Sequence, residues 1–312
     1  GDSYGQYGLA WYYENGVVVS QNYDEAFRLS LLSAEQNYSS AMQNLGFYYA
    51  NGYGVEQDYE KAVKWYLKAA KNGDINSMGD LGFHYASGLG VEQDYEKAFS
   101  WRLKGARLGD AYAQGGLAWQ YEKGVGVEKN IGEALRWRQL GAEQDDAYSQ
   151  GGLAWHYLAG EGVDQDYEEA ERLFKIASEN GDAYSQASLG WMYENGFTIS
   201  GVNYDEAFRL RQLAAEQDND DAQAGLGWHY SEGKGVEQDY EEAVYWYKLA
   251  ADQGDAYGQA GLAWHYAEGL GTDQDNVMAI KYFTSAAEQG NAWAQGNLAW
   301  MISEGLGVEQ ND

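Results

Sequence analysis

A leucine followed by a small residue and an aromatic returns through this chain at a nearly fixed spacing. Leu9-Ala10-Trp11, Leu45-Gly46-Phe47, Leu81-Gly82-Phe83, Leu117-Ala118-Trp119, Leu153-Ala154-Trp155, Leu189-Gly190-Trp191, Leu226-Gly227-Trp228, Leu262-Ala263-Trp264 and Leu298-Ala299-Trp300 stand thirty-six residues apart, with one interval of thirty-seven. A period of this size leaves few folds open. Each unit is too small to bury its own apolar face, so units stack into a solenoid with a continuous core. The period overrides the two or three domains that 312 residues would ordinarily suggest. The expectation is a single domain, 1–312, of eight full units and a C-terminal half unit.

Within one unit, Gly73-Asp74 opens a turn and a helix is predicted over Asn76–Ser87. Gly88-Leu89-Gly90-Val91 breaks it, because glycine just past a helix accepts the left-handed conformation that ends it. Asp94 stands at an N-cap position, and a second helix follows over Tyr95–Leu108, with apolar Ala98, Trp101 and Ala106 on one side. The unit is a helical hairpin and the fold class all-α. Gly1–Asn15 and Tyr23–Glu35 supply the first hairpin. The loop Phe197-Thr198-Ile199-Ser200-Gly201 carries the one extra residue.

The run Leu45-Gly46…Tyr49…Gly52-Tyr53-Gly54-Val55…Asp58-Tyr59…Ala62…Trp65-Tyr66…Ala69-Ala70…Gly73-Asp74 resembles the Sel1-like repeat, a relative of the tetratricopeptide repeat. The resemblance covers essentially the whole chain. It implies a right-handed α/α superhelical solenoid acting as a non-enzymatic scaffold for protein–protein interaction. The chain departs from the family in lacking cysteine and in placing Glu56, Glu92 and Glu237 where proline is frequent.

Charge narrows the partners. A formal charge of −29 argues against nucleic acid and anionic membranes, which need clustered Lys and Arg. No apolar run approaches the roughly 20 residues of a membrane helix. Without cysteine there is no disulfide, zinc–cysteine site or thiol nucleophile. No phosphate loop, GxSxG or HExxH motif is present, so no enzyme and no cofactor is expected. The four histidines, His84, His156, His229 and His265, all fall three residues after the recurrent leucine. They read as polar residues flanking the core, and no metal site is expected. Gln114, Gln150, Gln186, Gln223, Gln259 and Gln295, three residues before it, are expected to hydrogen-bond to neighbouring helices or turn backbone. Because it begins at Gly1, the chain is expected to be a processed or truncated product. A sequon stands at Asn37-Tyr38-Ser39.

Winding the first helix at about 100° per residue sorts its faces. Counted from the leucine, positions −4, 0, +1 and +4 (Ala113, Leu117, Ala118 and Tyr121) form a core side. Positions −5, −2 and +2 cluster opposite as an aromatic, a small residue and an aromatic. By resemblance to tetratricopeptide folds this second face lines a concave surface. Tyr112, Trp119, Tyr148, Trp155, Tyr184, Trp191, Trp228, Tyr257 and Trp264 then form a ladder of platforms, with glycine-floored gaps, for a protein or peptide. The competing reading wedges the +2 aromatics between successive helices as core. A glycan is a weaker alternative ligand for the same rings. At the C-terminus Trp293, Leu298, Trp300, Met301 and Ile302 are expected to lack a partner helix. That suggests a structural alternative, copies stacked end to end in an extracellular fibre or surface layer.

Overall fold

The computed structural model describes residues 1–307, which form seventeen α-helices and no strand. In chain order they are α1 (Ser3–Asn15), α2 (Tyr23–Ala34), α3 (Ser39–Asn51), α4 (Tyr59–Lys71), α5 (Asn76–Ser87), α6 (Tyr95–Arg107), α7 (Ala111–Lys123), α8 (Ile131–Ala142) and α9 (Ala147–Ala159). There follow α10 (Tyr167–Glu179), α11 (Ala183–Asn195), α12 (Tyr204–Ala215), α13 (Asp220–Glu232), α14 (Tyr240–Gln253), α15 (Ala256–Glu268), α16 (Asn276–Glu288) and α17 (Ala292–Ser303). Odd-numbered helices are the first of each hairpin and even-numbered ones the second; successive helices from α1 to α8 and from α10 to α17 pack on each other, and the fold is a repeat helical solenoid. The chain divides into two compact units, Gly1–His156 with Glu161–Val163, and Tyr157–Gly160 with Asp164–Asp312.

The local chemistry explains the hairpin. Gly88 takes a φ of 71° and ends α5. Asp94 begins α6 by accepting a hydrogen bond from the Lys97 backbone N–H at 2.9 Å. Asp58, Asn130 and Asp239 do the same for α4, α8 and α14. The acids at these starts are therefore caps that satisfy free N–H groups.

The recurrent leucines anchor the core. Leu45, Leu81 and Leu117 in the first unit and Leu226 and Leu262 in the second are fully buried, with Ala113 and Ala118 or Ala222 and Ala263 beside them. The glutamines three residues earlier tie helices together. Gln114 Nε2 donates to the Ala106 carbonyl at the end of α6, and its Oε1 accepts from Gln144 after α8 at 2.8 Å. Gln186, likewise, donates to Ser178 and accepts from Gln217. Each of the four histidines is buried and pairs its Nδ1 with a loop carbonyl five residues on, His84 with Leu89 and His265 with Leu270, both at 2.9 Å. Gln120 takes the same place and donates to the Val125 carbonyl. The position secures the loop, and no cluster of potential metal ligands occurs among the described residues.

The −2 position of α7 is closed: Gly115 is buried, and a Cβ there would lie 2.9 Å from both the Tyr148 ring and Ser149 Oγ. Gly115 therefore lets α7 and α9 approach each other and floors no gap there, whereas Ala224 and Ala260, at −2 of α13 and α15, line an open groove with Trp228 and Trp264. At the C-terminal end, Met301 is only 1% exposed because α16 covers it with Ala279, Phe283 and Ala286, and Leu298 packs on the same cluster. The hairpin before α17 thus covers both residues, while the second helix they were expected to lack would fall on positions outside the described residues. Trp293, Trp300 and Ile302 remain exposed.

In most loops the second glycine meets the preceding hairpin. Gly90 has a φ of +72°, and a Cβ on it would fall 2.2 Å from the Tyr59 carbonyl oxygen at the start of α4. Gly235 stands against Tyr204 in the same way. Gly73 also has a positive φ but nothing within 4 Å of its Cβ position. Gly90→Ala is therefore expected to lower stability in urea by about 2 kcal/mol or more, and Gly73→Ala by about 1, the backbone penalty alone. Equal losses in the two variants would contradict the close approach.

Candidate functional site

In the second unit four of the predicted platforms converge. Trp191, Trp228, Tyr257 and Trp264 line one groove of about 680 Å³ together with Trp293, which the sequence reading assigned to the end of the array. Helices α11, α13, α15 and α17 supply them, at positions +2 and −5 of consecutive hairpins. Tyr257 is 73% exposed and Trp293 about half exposed, while Trp228 and Trp264 are half-buried. Trp228 packs one side on Tyr204 of α12, with centroids 5.9 Å apart, and Trp264 leans on Trp293 at 5.8 Å. The +2 indoles thus combine the two sequence readings, packing along one edge and lining the groove with another. Tyr184 is exposed but is not among the residues lining the groove. In the first unit Tyr112 and Tyr148 are exposed, and Trp119 and Trp155 half-buried.

Beneath these aromatics lies a charge network that the sequence reading missed. Arg211 of α12, lining the groove, gives Nε and Nη2 to the two oxygens of Glu194 at 2.8 and 3.0 Å. Its Nη1 pairs with the Asp221 carboxylate. His229 Nε2 completes the set at 3.2 Å from Glu194 Oε1. The first unit repeats the arrangement: Arg138 forks onto Glu122 at 2.8 and 3.0 Å, and His156 Nε2 lies 3.2 Å from Glu122 Oε1. There Nη1 donates to the Tyr148 carbonyl, and the Tyr148 ring centroid lies 4.5 Å from the guanidinium carbon.

Both arginines are almost wholly buried, which favours fork-shaped, charge-assisted pairing over loose contact. Burial pushes the Glu122 and Glu194 carboxyls up, but hydrogen bonds from the histidine and arginine outweigh it and hold both at about 2. His156 is depressed by burial and raised more strongly by Glu122, ending above its ordinary value. His84 and His265, with no such carboxylate contact, are held low by burial. One signal could have revealed the network. At the thirty-six-residue register, Arg102, Arg138 and Arg211 occupy the place of Tyr66, Phe174, Tyr247 and Phe283. A cation in an aromatic core slot favours a buried acid beside it, which Arg138 and Arg211 find and Arg102 does not.

The Sel1 repeat model matches residues 3–38, 39–74, 75–110, 111–146, 147–182, 183–219, 220–255, 256–291 and 294–312. A protective antigen present in uropathogenic Escherichia coli strains, displaying an SLR fold, is 31% identical with a TM-score of 0.58, over 99% of this chain and 74% of that one. A Sel1 repeat protein from Oxalobacter formigenes is 30% identical with a TM-score of 0.61, over 96% and 88% respectively. No curated protein matches the chain.

The ion pairs give a signed pH dependence. A carboxyl held at about 2 against its ordinary 4.5 adds stability that is fully present above about pH 4.5 and lost as pH falls toward 2. Glu122→Gln leaves Arg138 buried without a carboxylate, so it is expected to cost about 3 kcal/mol near neutrality. Because that variant has already lost the term, its urea midpoint should fall less between pH 5 and pH 3 than that of the wild type. Parallel pH profiles would contradict the assignment.

Proposed function

This chain belongs to the Sel1 repeat family, and on that footing we propose that it is a non-enzymatic scaffold that binds a protein or peptide segment along the aromatic face of its odd-numbered helices. Sel1 repeats generally mediate protein–protein interaction, and scaffolds of this family are typically without catalytic activity. The observation that carries the reading is the groove bordered by Trp228, Tyr257 and Trp264. Solvent-reachable indole and phenol rings on rigid helices suit binding: they present large contact area and lose little side-chain entropy on docking. The buried Arg211–Glu194 pair beneath them fixes the relative positions of α11 and α12.

A photo-cross-linking residue at Tyr257, on α15, is expected to capture a discrete partner in an extract of the native cells. The same residue at Tyr245, an exposed position on α14, should not. Trp228→Ala combined with Trp264→Ala should reduce the captured product at least about tenfold while leaving helicity unchanged. Capture that is equal at the two positions, or insensitive to the double substitution, would contradict a binding role for this face.

A further inference from the structure

We propose that the groove in the second unit receives a basic side chain, lysine or arginine, from the bound peptide. The inference rests on the peptide-binding reading above and names the residue class that the groove selects.

Three carboxylates, Glu194, Asp221 and Glu232, line the groove beside a single guanidinium, Arg211. That cation is already neutralised, forked onto Glu194 and paired with Asp221. His265, also in the lining, adds no charge at neutral pH, because burial holds it below its ordinary value. Glu232 has no ion pair among the described residues, and its field reaches His265 and Tyr247, both on the groove wall. The groove therefore carries an excess of negative charge within a surface of tryptophans.

The repeat register shows how the space arises. Position −5 holds Tyr112, Tyr148, Tyr184 and Tyr257 in neighbouring hairpins, but Asp221 in α13. In the first unit, the Tyr148 ring covers the guanidinium of Arg138. Its counterpart in the second unit is a short carboxylate, 59% exposed as a side chain, so a ring's volume is replaced by open space with an acid on its wall.

A lysine or arginine fits both properties. Its methylene stem packs along the indoles of Trp228 and Trp264, its charge is attracted to the ring faces, and its head reaches Glu232. An acidic side chain would meet like charge, and a purely apolar one would desolvate Glu232 without compensation. The protein's net −29 adds a long-range attraction for cationic segments.

The test is a phage-displayed library of random peptides selected on the full chain, followed by fluorescence anisotropy with the selected peptides. Peptides whose binding is lost in the Trp228→Ala, Trp264→Ala protein should contain a lysine or arginine. Replacing an arginine by citrulline, or a lysine by norleucine, should weaken binding at least about tenfold. Glu232→Gln should weaken it about threefold or more, and Glu232→Lys more strongly. Both are surface changes that should leave the circular dichroism spectrum unchanged. Tryptophan-dependent peptides that lack a basic residue, or that tolerate the neutral replacement, overturn this inference and leave the peptide-binding reading standing. A selection that yields no tryptophan-dependent peptide overturns both.

Discussion

In five of the eight loops between paired helices a glycine rests on the first backbone carbonyl of the preceding hairpin's second helix, at a distance no side chain tolerates. Gly54 lies so on Tyr23, Gly90 on Tyr59, Gly126 on Tyr95, Gly235 on Tyr204 and Gly271 on Tyr240. This contact sets how closely consecutive hairpins stack, and much else follows from it. The loop must be held in place, which the buried histidines or Gln120 do from the +3 position. First helices approach closely, and −2 is small in most hairpins, as Gly115, Ala187, Ala224 and Ala260 are, while Gln43 of α3 spans the same step by donating to Asp80 of α5. At that spacing the indoles of neighbouring hairpins come close enough for several to share one groove.

The same stacking decides the electrostatics. A guanidinium in the slot otherwise filled by a tyrosine or phenylalanine is tolerated where the neighbouring first helix presents a glutamate, as Glu122 does for Arg138 and Glu194 for Arg211. At the corresponding place in α5 the residue is Ala86, and Arg102 is left with a single hydrogen bond to the Gly116 carbonyl at 3.2 Å. Burial accordingly pulls Arg102 below its ordinary value, while Arg138 is held above it by Glu122. In the second unit the paired charges Arg211, Glu194 and Asp221 line the same groove as the indoles, so core and candidate site are continuous there.

How much of this was legible in the sequence follows from the range of the interactions involved. Helices, caps and loop breaks were readable because they are local: the period in leucine, Asp94 before α6 and Gly88 after α5 each act within a few residues. The loop histidines were also correctly read as structural, since their partners lie five residues away. The groove was half legible. Helical winding placed Trp191, Trp228, Tyr257 and Trp264 on one face, but whether a +2 indole is core or surface depends on the next hairpin, and Trp228 is both. The ion-pair networks escaped because their members are sixteen or seventeen residues apart in one contact and thirty-four or thirty-five in the other. Those separations acquire meaning only once hairpins are stacked. The burial of Met301 was unreadable for a similar reason: its cover comes from the hairpin before it.

The central claim is that stacking of the second-unit hairpins builds a peptide-binding groove floored by Trp228 and Trp264. A crystal structure of the chain bound to a groove-selected peptide would examine it most directly. The account predicts electron density for the peptide across α13 and α15, with one side chain seated between the two indoles and its head toward Glu232. A peptide ordered instead on the even-numbered helices, or against Trp300 and Ile302 of α17, would contradict it.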